Sequence, residues 1–476
     1  MKRTEIHHIP PEDRVPIKAK VFGSMGGFTD YMTTNITLGV LWMPILNIGF
    51  GLPPALLAVV NMVLKLFDAF ADPFIGNLSD NTRTRWGRRR PYIFVFAIVV
   101  GVLTPLIWWL NADWGTPAKL AWIAFFAWML FFARSFYAMP YYSLMLELTP
   151  NYDERTRLAA WRTLFSKLFG LIGGWVMAIV TCRWFIDTAT GEPDLVMGVR
   201  WVSVGIGVLI IVFGVAPAIF IKERYYEKDT SHQARTSFWK SIKLTFACKP
   251  LWLIIGMVFF NLLGLQSISA VGQYVNIFVV NKGRVADASI LEGWKFTAMF
   301  LSGIASIPFW TWFCEKFDKR LAMLVILMSA IAGHLLNYFC ITPEHPYLLL
   351  VPAVFNSAVA ASIWLLVPSM MADAADYDEW KTTKRREGSL NAVFSWTAHG
   401  AIALGTGMSG IVLQLTGFDV ALKSQTAGTL GNMFWVYLLL PVALYTPSLF
   451  FLKKYSLNRA RMAEIRTELE ARRGKL

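Results

Sequence analysis

Apolar residues in this chain come in long unbroken blocks rather than as stripes at helical spacing. A helix that crosses a bilayer needs about 20 mostly apolar residues. Twelve blocks meet that length, at approximately 21–47, 53–76, 91–111, 118–147, 158–181, 199–221, 250–278, 292–314, 320–341, 346–371, 389–416 and 430–452. Turns as short as Asn47 to Pro53 and Thr342 to Pro346 separate some of them. The pattern predicts an all-α membrane protein with twelve transmembrane helices in two pseudo-symmetric six-helix bundles.

Polar positions set the expected orientation. With both termini in the cytoplasm, 35 of the 45 Lys and Arg fall on the cytoplasmic side, seven on the outer side and three (Lys65, Arg134, Lys167) inside apolar blocks. That asymmetry is the positive-inside pattern. The stretch 223–249 is polar and basic and separates six helices from six. The expected organisation is a cytoplasmic tail over 1–20, bundles over 21–222 and 250–453 joined by the 223–249 loop, and a cytoplasmic tail over 454–476. In that last tail Met462, Ile465 and Leu469 recur at helical spacing and predict a short helix lying on the membrane surface. An internal repeat is suggested by Tyr152-Asp153-Glu154 after the fourth helix and Tyr377-Asp378-Glu379 after the tenth. Two parallel six-helix repeats imply a rocking carrier with its site between the halves.

Composition sharpens this picture. Only 16% of the 476 residues are charged and 55% are hydrophobic, whereas soluble domains carry about 25% charged residues. The net charge of +14 reads as loop topology, so no nucleic-acid partner is expected. The first eighteen residues are polar, with Pro10, Pro11 and Pro16, and show no cleavable leader pattern. The first apolar block is expected to serve as address and anchor in the inner (plasma) membrane. Cys182, Cys248, Cys314 and Cys340 form no CxxC pair and are expected to be small core residues.

Chemistry concentrates in Lys65–Tyr92. Asp68 and Asp72 lie in an apolar block at i, i+4 spacing and share a helix face, with Lys65 one turn earlier. Acids at membrane depth are expensive and mark function by default. Two acids and one amine leave one net negative charge, which suits a single proton or sodium ion; the alternative is mutual neutralisation that only holds helices together. Asp30 is a further candidate acid. Arg134, Arg162 and Lys167 either grip hydroxyls or an anionic group on a substrate, or pair with Asp30 and the second-helix acids. His334 reads as a hydrogen-bonded packing residue. His399 gains weight from Asn391, Ser395 and Thr397 nearby. Tyr141, Tyr142, Trp364 and Trp396 are candidates to stack on a sugar face. Asp80, Arg83, Arg88, Arg89, Glu147, Asp373 and Asp376 are assigned to a cytoplasmic latch of charge pairs. Gly405 to Gly410 fits a GxGxxG pattern, but inside a helix it reads as a packing surface. No GxxxxGK[ST], HExxH or GxSxG motif is present, so neither an ATPase drive nor an enzyme is expected and no cofactor is called for.

The residues Asp68-Ala-Phe-Ala-Asp72-Pro73, Gly76, Asp80, Arg83, Arg85-Trp86-Gly87-Arg88 and Pro91 resemble the glycoside–pentoside–hexuronide:cation symporter family. This family is melibiose-permease-like and belongs to the major facilitator superfamily. The resemblance continues at Met139 to Leu144, at Ala372 to Lys381 and at Glu387-Gly388-Ser389. It implies cation coupling at Asp68 and Asp72, which would be metal ligands if the ion is sodium. It implies substrate contacts at Tyr142, Arg162 and Trp364, and it places the family's eleventh-helix lysine at His399. The fourth-helix acid of melibiose-permease-like members falls at Ala138, which removes a sodium ligand and favours protons. The expected activity is import of a sugar with a proton or sodium ion by a monomer in the lipid bilayer. A cation-coupled lysolipid carrier and a non-transporting solute sensor are the alternatives.

Overall fold

The computed structural model describes residues 14–473 except 83, 147, 150–151, 222–247, 383–386 and 423. Arg83 and Glu147 of the expected latch lie outside the described residues, as do the side chains of Asp68, Asp72, Asp80, Trp364 and Cys314.

The expected all-α architecture is found. Among the described residues twelve long helical stretches follow one another: α1 (17–49), α2 (Pro54–Asn81), α3 (Arg90–Leu106), α4 (Thr116–Leu146), α5 (152–180), α6 (Leu195–Phe220), α7 (249–280), α8 (Val285–Lys316), α9 (Lys319–Cys340), α10 (Leu350–Thr382), α11 (Glu387–Leu415) and α12 (Ala427–Lys454). A shorter helix, α13 (Arg459–Arg473), ends the chain. By length and apolarity alone, seven of the described spans are able to cross a membrane. Shorter apolar helical segments among the described residues are Pro54–Phe67, Arg90–Leu106 and Pro346–Ser357. Large apolar side chains such as Phe339, Leu415 and Trp184 are more than 70% exposed, which is how a surface solvated by lipid reads.

By their contacts the residues group into two compact units. One runs up to Phe50 and resumes at Phe67; the other takes Gly51–Leu66 together with the chain after the middle loop. The first half of α2 therefore groups with the later helices, a division the apolar blocks did not suggest. Two bonds to α11 account for it: Ala55 N–H donates to Gln414 Oε1 at 3.2 Å, and Lys65 Nζ donates to Thr406 Oγ1 at 2.9 Å.

The internal repeat is real, but its markers differ from the expected ones. Tyr152 opens α5, whereas Tyr377 lies near the end of α10, so the two Tyr-Asp-Glu triplets are not equivalent. Helices run beyond the apolar blocks because a polar helical end is well solvated, and hydropathy registers only the lipid-covered part. Better markers are two arginines. Arg90 Nε donates to the Ala218 carbonyl at 2.7 Å, and Arg320 Nη2 to the Lys453 carbonyl at 2.7 Å. Each closes the C-terminus of the last helix of its half, where orphan carbonyls and the helix dipole favour a cation. A second pair of markers is a five-residue backbone bond ending α1 (Phe50 N–H to Ile45 O) and α7 (Asn281 N–H to Asn276 O).

Packing within each unit is tight. At α3 and α6, Gly101 and Gly207 face each other so closely that a Cβ on either would lie under 3 Å from the carbonyl oxygen of the other. α6 begins at Asp194, whose carboxylate accepts from the N–H groups of Val196 and Met197, a cap of about 1 kcal/mol. In the second unit, Leu251, Ile326, Met370, Leu390 and Leu452 belong to one apolar core. That core includes Met462, Ile465 and Leu469 of α13. The apolar face of α13 is thus covered by α10 rather than by lipid headgroups, and Trp380 Nε1 donates to Glu468 Oε2 at 2.6 Å across the contact. Cys248 and Cys340 are buried and Cys182 is half-buried, as expected of small core residues.

Candidate functional site

In the first unit, α1 and α4 bring together a charged cluster. Asp30 sits on α1 just before a wide-turn segment, Met32–Val40. Arg134 Nε donates to Asp30 Oδ1 at 2.5 Å, and Tyr142 OH donates to Asp30 Oδ2 at 2.6 Å. Arg134 and Tyr142 are eight positions apart on α4, about two helical turns, so one carboxylate binds two points along the same face. The side chains of Arg134 and Asp30 are 10% and 16% exposed, a degree of burial at which an unpaired charge is strongly destabilising. Of the two readings open for Arg134, the structure brings about the pairing with Asp30. Arg162, on α5, lays its guanidinium over the Tyr142 ring with 4.8 Å to the centroid. Such stacking contributes about 0.5–2 kcal/mol depending on desolvation. Among the described residues Arg162 makes no hydrogen bond or ion pair.

α4 is held in place by two tyrosines, Tyr137 and Tyr141. Tyr137 OH donates towards the Gly26 and Gly214 carbonyls at 2.9 and 3.2 Å, and Tyr141 OH towards the Gly23 carbonyl at 2.9 Å. Tyr141 is 1% exposed and packs α4 on α1, which removes it from the sugar-stacking candidates. Tyr137 was missed in the sequence; its signal is the i, i+4 repeat with Tyr141, which puts both rings on one face. Lys167 is exposed, and no ion pair is found for it among the described residues, against the pairing expected.

Positions 68 and 72 lie one turn apart in α2. Lys65, one turn earlier, is engaged by Thr406 of α11 in the second unit. On α11, Trp396 is 56% exposed and His399 is exposed; three positions apart, they share a face.

The latch residues are partly engaged within one unit. Asp373 on α10 is 3% exposed and accepts from Lys319 Nζ at 2.5 Å at the start of α9. Lys319 also donates to the Ser369 carbonyl. Asp376 is half-buried on the same helix, Arg88 is half-buried, and Arg89 is 5% exposed at the start of α3. A pair that was not anticipated lies at the start of α5. Glu154, 1% exposed, accepts from Lys20 Nζ at 2.5 Å, from Val15 N–H at 3.1 Å and from Arg157 at 3.5 Å. Burial alone would raise its pKa, but these hydrogen bonds and positive charges win and hold the carboxyl below its usual range.

Comparison with known proteins bears on the family and the fold. The family model described as MFS/sugar transport protein matches residues 24–459. The isoprimeverose transporter of Lactiplantibacillus pentosus is 24% identical over 394 residues, covering 83% of this chain and 79% of that protein. The uncharacterized symporter YnaJ of Bacillus subtilis (strain 168) is 26% identical over 433 residues, covering 89% of this chain and 88% of that protein. A crystal structure of a D-xylose-proton symporter superposes with a TM-score of 0.63 at 13% identity, covering 91% of this chain and 95% of that one, a likeness of fold. With a match across almost its whole length, the chain belongs to the MFS/sugar transport protein family of the major facilitator superfamily.

Proposed function

We propose that this chain is a symporter that imports a sugar, a glycoside, pentoside or hexuronide, together with a proton or sodium ion by alternating access. The observation that carries the reading is Arg162 stacked on Tyr142 beside Asp30. The Tyr142 ring offers an apolar face and Arg162 offers donors to hydroxyl or carboxylate oxygens. That is the chemistry of a pyranose or furanose ring, apolar on its faces and polar at its rim. The relatives named as an isoprimeverose transporter and a symporter support sugar and coupling ion respectively. Asp68 and Asp72 are the proposed cation seat, one turn apart on α2. Trp364, Trp396 and His399 are proposed as substrate contacts from the second half. The protein is proposed to work as a monomer in the inner membrane with both termini cytoplasmic.

The test is uptake of a panel of radiolabelled sugars into proteoliposomes under an imposed proton or sodium gradient. Accumulation of at least one sugar under one gradient is expected. Asp72→Asn is expected to abolish gradient-driven accumulation while sparing exchange. Binding without flux for every sugar, in protein shown to be folded, would overturn the reading in favour of a solute sensor.

A further inference from the structure

The second unit contains a polar constellation far along the chain from the groups just described. On α8, Glu292 is 8% exposed, and both its oxygens accept from Lys295 Nζ, at 2.9 and 3.1 Å. Asn276 of α7 adds a donor to Glu292 Oε2 at 3.4 Å and ties itself to the Ala288 carbonyl at 2.8 Å. The pair is therefore held from two helices. On α9, His334 is 0% exposed, and neither ring nitrogen has a hydrogen-bond partner among the described residues. Asn337 Oδ1, one turn on, and Tyr445 OH of α12 are buried and equally without partners. The His334 ring lies 5.7 Å from the Tyr445 ring and 6.2 Å from the Tyr437 ring, centroid to centroid. Lys295 is the charged group that bears on His334, and Tyr437 lies within the field of both Lys295 and Glu292.

Four buried polar atoms on three side chains of α9 and α12 thus find no partner among the described residues, with the His334 and Tyr445 rings side by side and Asn337 one turn on. Leaving a buried donor or acceptor unmet is destabilising by about 1–3 kcal/mol for each group. Burying an ion pair beside them adds a further desolvation term. A neutral imidazole has one donor and one acceptor. An apolar ligand would satisfy none of these atoms, and a cation or an anion would meet the charge of Lys295 or of Glu292. Water satisfies a donor and an acceptor together, and buried waters typically make about three hydrogen bonds to such groups.

We propose that α8, α9 and α12 enclose an internal water site. Its ligands are the two ring nitrogens of His334, Asn337 Oδ1 and the Tyr445 hydroxyl. The site lies wholly within the second unit, whereas the Asp30 cluster and positions 68 and 72 belong to the first.

Hydroxyl-radical footprinting of the full chain in nanodiscs tests this, because radicals form from water next to the side chain they modify. The probe is water itself, with oxygen-18 water to report exchange. Tyr137 and Tyr141, which are equally buried but bonded to protein carbonyls, serve as dry references. Tyr445 and His334 are expected to be modified several-fold faster than the two references, with slow isotope exchange. His334→Phe is expected to return Tyr445 to the reference rate. His334→Gln keeps a donor and an acceptor and is expected to preserve the labelling of Tyr445, so it carries the test if the Phe variant does not fold. Labelling of Tyr445 at the reference rate in the unmodified chain would overturn the proposal, as would unchanged Tyr445 labelling in a folded His334→Phe variant. Neither readout depends on transport, so failure of the sugar-symport reading would leave this result standing.

Discussion

The Nε of Arg134 donates to the Oδ1 of Asp30 at 2.5 Å and joins α4 to α1 through a largely buried charge pair. Removing one member strands the other. Asp30→Asn or Arg134→Met alone should destabilise the first unit by about 3–5 kcal/mol. The double variant Asp30→Asn/Arg134→Met should recover much of that loss. Thermal unfolding in detergent across the four-member cycle checks this; additive losses would contradict a mutual pair.

Arg162 should be sensitive to shape as well as charge. A lysine keeps the charge but loses the planar stacking surface. Arg162→Lys is expected to raise KM for the transported sugar about tenfold, equivalent to about 1.4 kcal/mol, within the range of a desolvated cation–ring contact. Uptake kinetics in proteoliposomes give the answer, and an unchanged KM would remove Arg162 from the binding surface.

Glu154 predicts a pH dependence. Its folded-state pKa is depressed by Lys20, Val15 N–H and Arg157 acting against burial. A carboxyl of this kind contributes stability that is fully present above its unfolded value of 4.5. The contribution is lost as pH falls through the lower folded value. The stability gap between the unmodified chain and Glu154→Gln should therefore be widest near neutral pH and shrink on acidification below that range. A gap that grows as pH falls would reverse the sign and refute the assignment.

Thr406 receives the Lys65 ammonium at 2.9 Å. Hydrogen bonds to charged groups contribute about 1.5–3 kcal/mol. Thr406→Val should reduce thermal stability by a comparable amount, whereas Thr406→Ser, which keeps the acceptor, should not. Equal effects from the two substitutions would show that packing rather than the hydroxyl matters there.

The docked C-terminal helix is open to a similar test. Ile465 is 1% exposed, and truncating a buried Ile to Ala typically removes about 2–5 kcal/mol. Ile465→Ala should loosen α13 from α10 and alter the fluorescence of Trp380, which is bonded to Glu468. A helix lying in lipid headgroups would instead tolerate the change with little effect on Trp380.

Much of the architecture was legible because lipid demands long apolar blocks, and a span of the required length is hard to mistake. Helix ends were less legible: the triplets at Tyr152 and Tyr377 were placed in loops, yet both are helical, since hydropathy is silent about backbone conformation in water. The apolar face of α13 was visible in Met462, Ile465 and Leu469, but an apolar stripe reads the same whether lipid or protein covers it. Within the site, the pairing of Asp30 with Arg134 stood as one of two readings because charge alone does not reveal distance. The Asp30–Tyr142 bond was hidden for another reason. It requires α1 and α4 to be placed side by side, and nothing local to either segment encodes that. His334 was expected to be bonded, and the lack of a partner for it among the described residues depends on the helices packed around it, which its own segment does not encode.

The wide-turn segment of α1 has a bearing on how Asp30 is aimed. An α-helix advances about 100° per residue, and a turn closed by a five-residue bond, such as Leu41 N–H to Ile36 O, carries one residue more than its neighbours. Passing such a turn along the helix by one position would rotate the intervening residue around the axis while the helix stays continuous. The carboxylate that binds Arg134 and Tyr142 sits immediately before this segment. Its partners are thus held at the edge of the part of α1 best able to change its winding, as a key is held next to the tumbler it turns.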